Sequence, residues 1–125
     1  MKNIVIFFTL FLVIASNSYG DWKYMAKNKD GDTFYIDLKS VKHQNNLTYV
    51  WTLTDKLIPS STGVMSSRAL FEIHCNQPQK AYQIAHSAFS LPMGEGSANS
   101  SYNKRIGPIY ANGKNVISRF VNFVC

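Results

Sequence analysis

Acidic residues are scarce in this chain of 125, with seven Asp and Glu against 13 Lys and Arg. Glu72 and Glu95 are the only glutamates. A two-carboxylate glycosidase would have to draw on a few aspartates. Asp30 and Asp32 lie in an Asn-Lys-Asp-Gly-Asp run, where turn chemistry explains them. The three histidines, His43, His74 and His86, fit no zinc spacing. With a hairpin turning at 76–79, His86 pairs near Ala69 rather than near His74. There is no Gly-x-Ser-x-Gly elbow. The Gly-rich stretch Met93-Gly94-Glu95-Gly96 lacks the Lys and Ser/Thr of a phosphate cradle. No internal repeat is present. These shortages leave no catalytic, cofactor-binding or metal-ligating constellation, so the expectation is a non-enzymatic protein without cofactor.

Long apolar runs are also lacking, save one. Residues 4–15, IVIFFTLFLVIA, follow Lys2 and precede Ser18-Tyr19-Gly20. The run is short of the roughly 20 residues that span a bilayer. A positive start, an apolar run and small residues at −3 and −1 describe a secretory signal peptide over residues 1–20. No Cys follows the apolar run to carry a lipid anchor. The expected domain is then 21–125, with no transmembrane segment after cleavage. Removing Lys2 takes the formal charge from +6 to +5. A basic exported protein meets anionic surfaces or acidic proteins, although these charges form no dense run.

Cysteine is limited to Cys75 and Cys125. Two cysteines in an exported chain pair as a disulfide. Closing so long a loop stabilises by roughly 4 kcal/mol in the chain-entropy account.

What remains alternates. Residues 21–27, 33–37, 47–54, 66–75 and 80–91 read as strands, and 39–43 as a short strand or bend. In 47–54, Leu47, Tyr49, Trp51 and Leu53 line one face, and Thr48, Val50, Thr52 and Thr54 the other. In 66–75, Ala69, Phe71, Ile73 and Cys75 share a face, opposite Arg68, Leu70, Glu72 and His74. The 80–91 run changes phase, which a bulge would reconcile. Residues 92–101 read as a flexible Gly/Ser-rich loop, and 102–106 as an edge strand ended by Gly107-Pro108. The last eleven residues, NVISRFVNFVC, wind into an amphipathic helix. Val116, Ile117, Phe120, Val121, Phe123 and Val124 fall on one face; Asn115, Ser118, Arg119 and Asn122 fall on the other. Asn112 or Asn115 caps it. Cys75 lies on the apolar face of its strand, where such a helix would dock.

The fold class is therefore α+β. A curved antiparallel sheet of about five or six strands carries one C-terminal helix on a face, tied by the disulfide. The face opposite the helix is the candidate interface. On this phase it holds Val50, Thr52, Arg68, Leu70, Glu72 and His74, a mix of β-branched, apolar and charged residues that suits contact. Lys23, Lys27, Tyr24 and Tyr35 could form a basic-aromatic platform for single-stranded nucleic acid. Core aromatics with rim lysines is the plainer account, and no specific nucleic-acid partner is expected.

An ordered set of short segments resembles the surface-adhesin protein E family. GDTFYIDLKSV at 31–41, VWTLTD at 50–55, SRALFEIHC at 67–75, Met-Gly-Glu-Gly at 93–96, Pro108-Ile109 and the terminal Val-Cys match it in order, and Trp22 opens the series. The resemblance implies an antiparallel sheet with a C-terminal helix held by Cys75–Cys125. It implies a surface-exposed adhesin that binds host matrix proteins and self-associates through the sheet as a homodimer. It assigns no binding residue to this chain. Where members carry an aromatic after the Asp of the Trp strand, this chain has Lys56. The function expected is an exported binding protein at the bacterial cell envelope, periplasmic, surface-held or secreted, whose partner is a host matrix or envelope protein. The alternative is a small periplasmic factor, such as an inhibitor of an envelope enzyme or a ligand carrier.

Overall fold

The computed structural model describes residues 21–125. The signal-peptide reading of residues 1–20 lies outside the described residues.

Eight strands form one sheet, and every pairing is antiparallel. They are β1 (Trp22–Lys27), β2 (Thr33–Asp37), β3 (Lys42–Gln44), β4 (Leu47–Asp55), β5 (Ser66–His74), β6 (Lys80–Phe89), β7 (Ala98–Tyr102) and β8 (Ile106–Tyr110). The order is β1-β2-β4-β5-β6-β7; β3 also pairs with β4, and β8 with β6. The sheet is larger than the five or six strands expected, because both flanks divide. Residues 92–101, read as a flexible loop, instead hold a 3-10 turn at Pro92–Gly94 and most of β7.

The edge strand expected at 102–106 is displaced, with β7 before it and β8 after. β8 runs through Pro108, which an edge strand tolerates because one flank needs no ladder N–H. Gly107 at its start has φ 143°, and a Cβ there would sit 3.0 Å from the Ala81 carbonyl oxygen, so the close approach of β8 to β6 requires glycine.

The C-terminal helix α1 (Val116–Val124) starts where its cap predicts. Asn115 is extended, and its side chain accepts from the Ser118 N–H at 2.8 Å. A nine-residue helix does not persist alone. It is held by Ile117, Phe120 and Val121, buried against Ile36, Val50, Phe71, Ile73 and Ala81. The rings of Phe120 and Phe71 lie 6.1 Å apart. At its end Cys125 bonds to Cys75.

Two assignments on the helix change. Ser118, placed on the polar arc, is buried; it also donates its hydroxyl to Asn115 Oδ1 at 2.6 Å, so the cap satisfies it. Phe123, placed on the apolar face, is 44% exposed, and the Lys23 ammonium lies 5.6 Å from its ring.

The larger correction concerns β4. Its register sets Val50 opposite Phe71 and Thr52 opposite Ala69. Directly paired residues share a face, so Val50 and Thr52 lie under α1, not on the open face. The cause is volume. α1 brings Ile117, Phe120 and Val121 down onto Ile36, Phe71 and Ile73, and beside those bulky neighbours the close-packed space left on β4 takes Val50 and Thr52. Thr52 is tolerated there because its hydroxyl donates to the Ala69 carbonyl at 3.1 Å. Leu47, Tyr49, Trp51 and Leu53 therefore face away from the helix.

Candidate functional site

The sheet face opposite α1 is organised in rungs across β4, β5 and β6. Leu53 pairs with Arg68 and Arg68 with Ser87; Trp51 with Leu70 and Leu70 with Ala85; Tyr49 with Glu72 and Glu72 with Tyr82; Leu47 with His74 and His74 with Lys80. The predicted bulge lies in β6, where Ile84 is inserted between the Ala85 and Gln83 registers. It brings Tyr82 and Ala85, three residues apart and opposite in a regular strand, to one face.

The Leu53 rung is closed by the chain itself. The turn at Pro92–Gly94 folds over it. The Met93 N–H donates to Asp55 Oδ1 and the Gly94 N–H to Ser66 Oγ, both at 2.8 Å. A Cβ on Gly94, at φ 67°, would lie 3.1 Å from Arg68 Cδ and 3.2 Å from Leu53 Cδ1. The Met-Gly-Glu-Gly run thus serves as a lid over the end of the face. Leu53 is fully buried beneath it. The Arg68 guanidinium lies 5.7 Å from the Trp51 ring and 5.5 Å from the Phe89 ring.

The Glu72 rung is a charged cluster. Glu72 Oε1 lies 3.0 Å from the Arg105 guanidinium and 2.9 Å from His74 Nε2. The Tyr49 hydroxyl donates to Oε2 at 3.4 Å. Arg105 reaches in from the β7–β8 connection and lies 3.9 Å over the Tyr82 ring. A nearly buried carboxylate is stable only with such partners.

Between lid and cluster the face is open. Trp51, Leu70, Tyr49 and Ile84 are half-buried there and border a cavity of about 580 Å³.

Of the six residues expected at the interface, Arg68, Leu70, Glu72 and His74 share this face, whereas Val50 and Thr52 do not. Tyr49, Trp51, Tyr82 and Arg105 were missed. Tyr49 and Trp51 were assigned to the other side with the phase of β4. Nothing local to Arg105 points to Glu72, 33 residues away in the chain. The basic-aromatic platform is not assembled. Tyr24 and Tyr35 meet edge to face at 6.0 Å on the open side, while Lys23 pairs with Ile36 and points to the α1 side.

His86 pairs with Ala69, as its spacing predicts, and stacks on Tyr102 at 5.2 Å. Burial pushes its pKa below the ordinary value. Among the described residues no three His, Cys, Asp or Glu side chains converge to hold a metal. No described helix is long and apolar enough to cross a membrane.

Two solved structures share this architecture, both of protein E from Haemophilus influenzae. Crystal form II superposes with a TM-score of 0.64 at 15% identity, covering 83% of this chain and 86% of that one. The selenomethionine form gives 0.59 at 14% identity, covering 83% and 84%. At such identity the likeness is one of fold. Among curated proteins, none matches. The family model described as surface-adhesin protein E matches residues 22–125, nearly the whole described chain with its lid, its open face and its terminal disulfide, and the chain belongs to that family.

Proposed function

We propose that this is an exported, non-enzymatic, adhesin-like protein of the bacterial cell envelope, which binds a host matrix or envelope protein through the sheet face opposite α1. Family membership supports the class. The observation that carries the surface is the uncovered middle of that face. Trp51, Leu70 and Tyr49 remain half-exposed in a sheet whose other side is closed by a helix. Aromatic and apolar side chains ringed by charged ones make an interface core with a polar rim. The positive net charge speeds encounter with acidic partners in a salt-dependent way. The same face serves a second copy in a homodimer.

Export rests on the signal peptide at residues 1–20, so the intact mass of the exported protein begins at Asp21. A mass retaining residues 1–20 refutes that part.

The surface is tested with Leu70→Glu. Sedimentation reports self-association, and plates coated with solubilised extracellular-matrix extract report binding. The variant loses both while its Tm moves by only a few degrees, since Leu70 is half-buried. Val50→Glu, on the covered face, unfolds the domain. A Leu70→Glu protein that is stable and still associates and binds places the interface elsewhere. The second reading, a small periplasmic ligand carrier, is favoured by the cavity on the same face. Protease added to intact cells separates the two, because only a surface-held protein is digested.

A further inference from the structure

β2 and β3 pair with the same edge of β4, but not continuously. β2 pairs as far as Ile36 with Thr52, and β3 resumes at Lys42 with Tyr49. Between them the chain leaves the sheet in a 3-10 turn, Leu38–Ser40. The Trp51 N–H, left without a strand partner, donates to Ser40 Oγ at 2.9 Å. The Ser40 hydroxyl donates in turn to the Asp37 carbonyl at 2.8 Å. Asp37 Oδ1 accepts from the Lys39 N–H at 3.0 Å and the Asp21 N–H at 3.2 Å. The detour is therefore fixed by hydrogen bonds, and it opens the cavity of about 580 Å³.

Three features define what fits. The volume lies in the range of small-molecule sites, about 300–1,000 Å³. The floor is apolar and partly aromatic: Trp51, Tyr49, Leu70 and, from the bulge of β6, Ile84. The rim offers Lys39, Lys42 and Gln44, all exposed. Neither lysine belongs to an ion pair among the described residues. The rim carboxylate, Asp37, is committed on one oxygen to backbone donors. A flat ring with an apolar side suits the floor, hydroxyls suit Gln44 and the other Asp37 oxygen, and a negative group suits the two lysines. The Asp37 carboxylate in the lining disfavours a polyphosphate or a nucleic-acid backbone, with a charge on every unit, more than a ring with a single anionic group, which the two lysines offset.

We propose that this cavity is a binding site for an acidic sugar, a pyranose bearing a carboxylate or sulfate, stacked over Trp51 and Tyr49 with its anionic group between Lys39 and Lys42. It goes beyond protein binding and does not require it.

The test is titration of the ¹⁵N-labelled exported protein, followed by NMR, with four probes: a hyaluronan tetrasaccharide, a heparin-derived disaccharide, a neutral malto-oligosaccharide and AMP. One or both acidic sugars perturb the amides of Tyr49, Trp51, Leu70, Lys39 and Lys42 and the Trp51 indole. Hyaluronan carries carboxylates alone and heparin carries carboxylates and sulfates, so hyaluronan binding as tight as heparin's identifies the carboxylate, and binding of heparin alone identifies sulfate. The neutral sugar binds at least about tenfold more weakly, and raising salt from about 20 to about 300 mM weakens the acidic ones. K39Q/K42Q lowers their affinity at least about tenfold. K27Q/K80Q, with the same change of charge, leaves affinity within about twofold. Equal losses in the two double variants mean diffuse attraction and overturn the site. So does tighter binding of AMP, or no perturbation by either acidic sugar at about 10 mM.

Discussion

Replacing both cysteines, as Cys75→Ala/Cys125→Ala, separates what the bridge contributes from what the helix contributes. The disulfide closes a loop across a sequence separation of 50 residues. In the chain-entropy account that constraint on the unfolded chain is worth roughly 4 kcal/mol. The docked face of α1 survives the change. Ile117, Phe120 and Val121 stay buried, each contributing about 1.5–3 kcal/mol. The variant therefore folds, with less margin. For a domain of this size, 1 kcal/mol moves Tm by roughly 4–5 °C, so Tm falls by roughly 15–20 °C. The change is not uniform along the chain. Hydrogen exchange of the amides beyond Val121, Asn122 to Cys125, becomes fast, because of those residues only Val124 is half-buried and the tether is lost. Amides of β4 and β5 remain the slowest. Calorimetry measures the first effect and exchange with mass spectrometry the second. A Tm loss below about 5 °C would falsify the entropy argument. A variant with no folded state at 25 °C would show instead that the bridge, not the apolar face, seats the helix.

Two further outcomes follow from burial. Phe120→Ala costs about 3–5 kcal/mol, since Phe120 is 3% exposed, whereas Phe123→Ala, at 44% exposed, costs less than about 1 kcal/mol; similar denaturation midpoints for the two would mean the helix is rotated. His86 has its pKa lowered by burial, so the unfolded chain binds its proton more readily than the fold. Stability is then lost as pH falls below about 6.5 and levels off below the depressed folded value. The fall in Tm between about pH 7.5 and 5 is shallower in His86→Gln, and identical pH profiles by differential scanning fluorimetry would refute this.

Much of the architecture is legible in local chemistry. Asn115 caps α1, the alternation of β5 puts Cys75 on the helix side, and the conflict of phase in 80–91 resolves as a bulge at Ile84. β4 was not legible, because hydrophobicity and volume point in opposite directions. Leu47, Tyr49, Trp51 and Leu53 form its more apolar face, and apolarity alone sends that face under the helix. Volume decides otherwise, since α1 supplies the bulk and Val50 and Thr52 supply the room. That preference belongs to two segments more than 60 residues apart and cannot be read from either. The candidate site inherits the same difficulty. Of its floor, the alternation of β5 places Leu70 correctly on the open face but the phase of β4 sends Tyr49 and Trp51 to the other side, and its rim depends on Ser40 replacing a strand partner for Trp51, a tertiary contact.

The position of the site follows from how a two-faced sheet disposes of its apolar side chains. One helix of nine residues covers one face. On the other, each end is closed by the chain's own devices. At the Leu53 rung the Met93-Gly94 lid excludes water, and at the Glu72 rung Arg105 spans Tyr82 to reach the carboxylate. The Trp51–Leu70 rung between them has no such cover. Trp51 and Leu70 there could have been closed by continuing β2 into β3, yet the chain detours at Leu38–Ser40 and stabilises the detour with three hydrogen bonds. An interrupted ladder over an aromatic floor forgoes pairing that a continuous strand would supply at no greater length. In a domain with about 5–15 kcal/mol of total stability, such a departure supports the proposed ligand site over Trp51, since local rules are broken where function requires it.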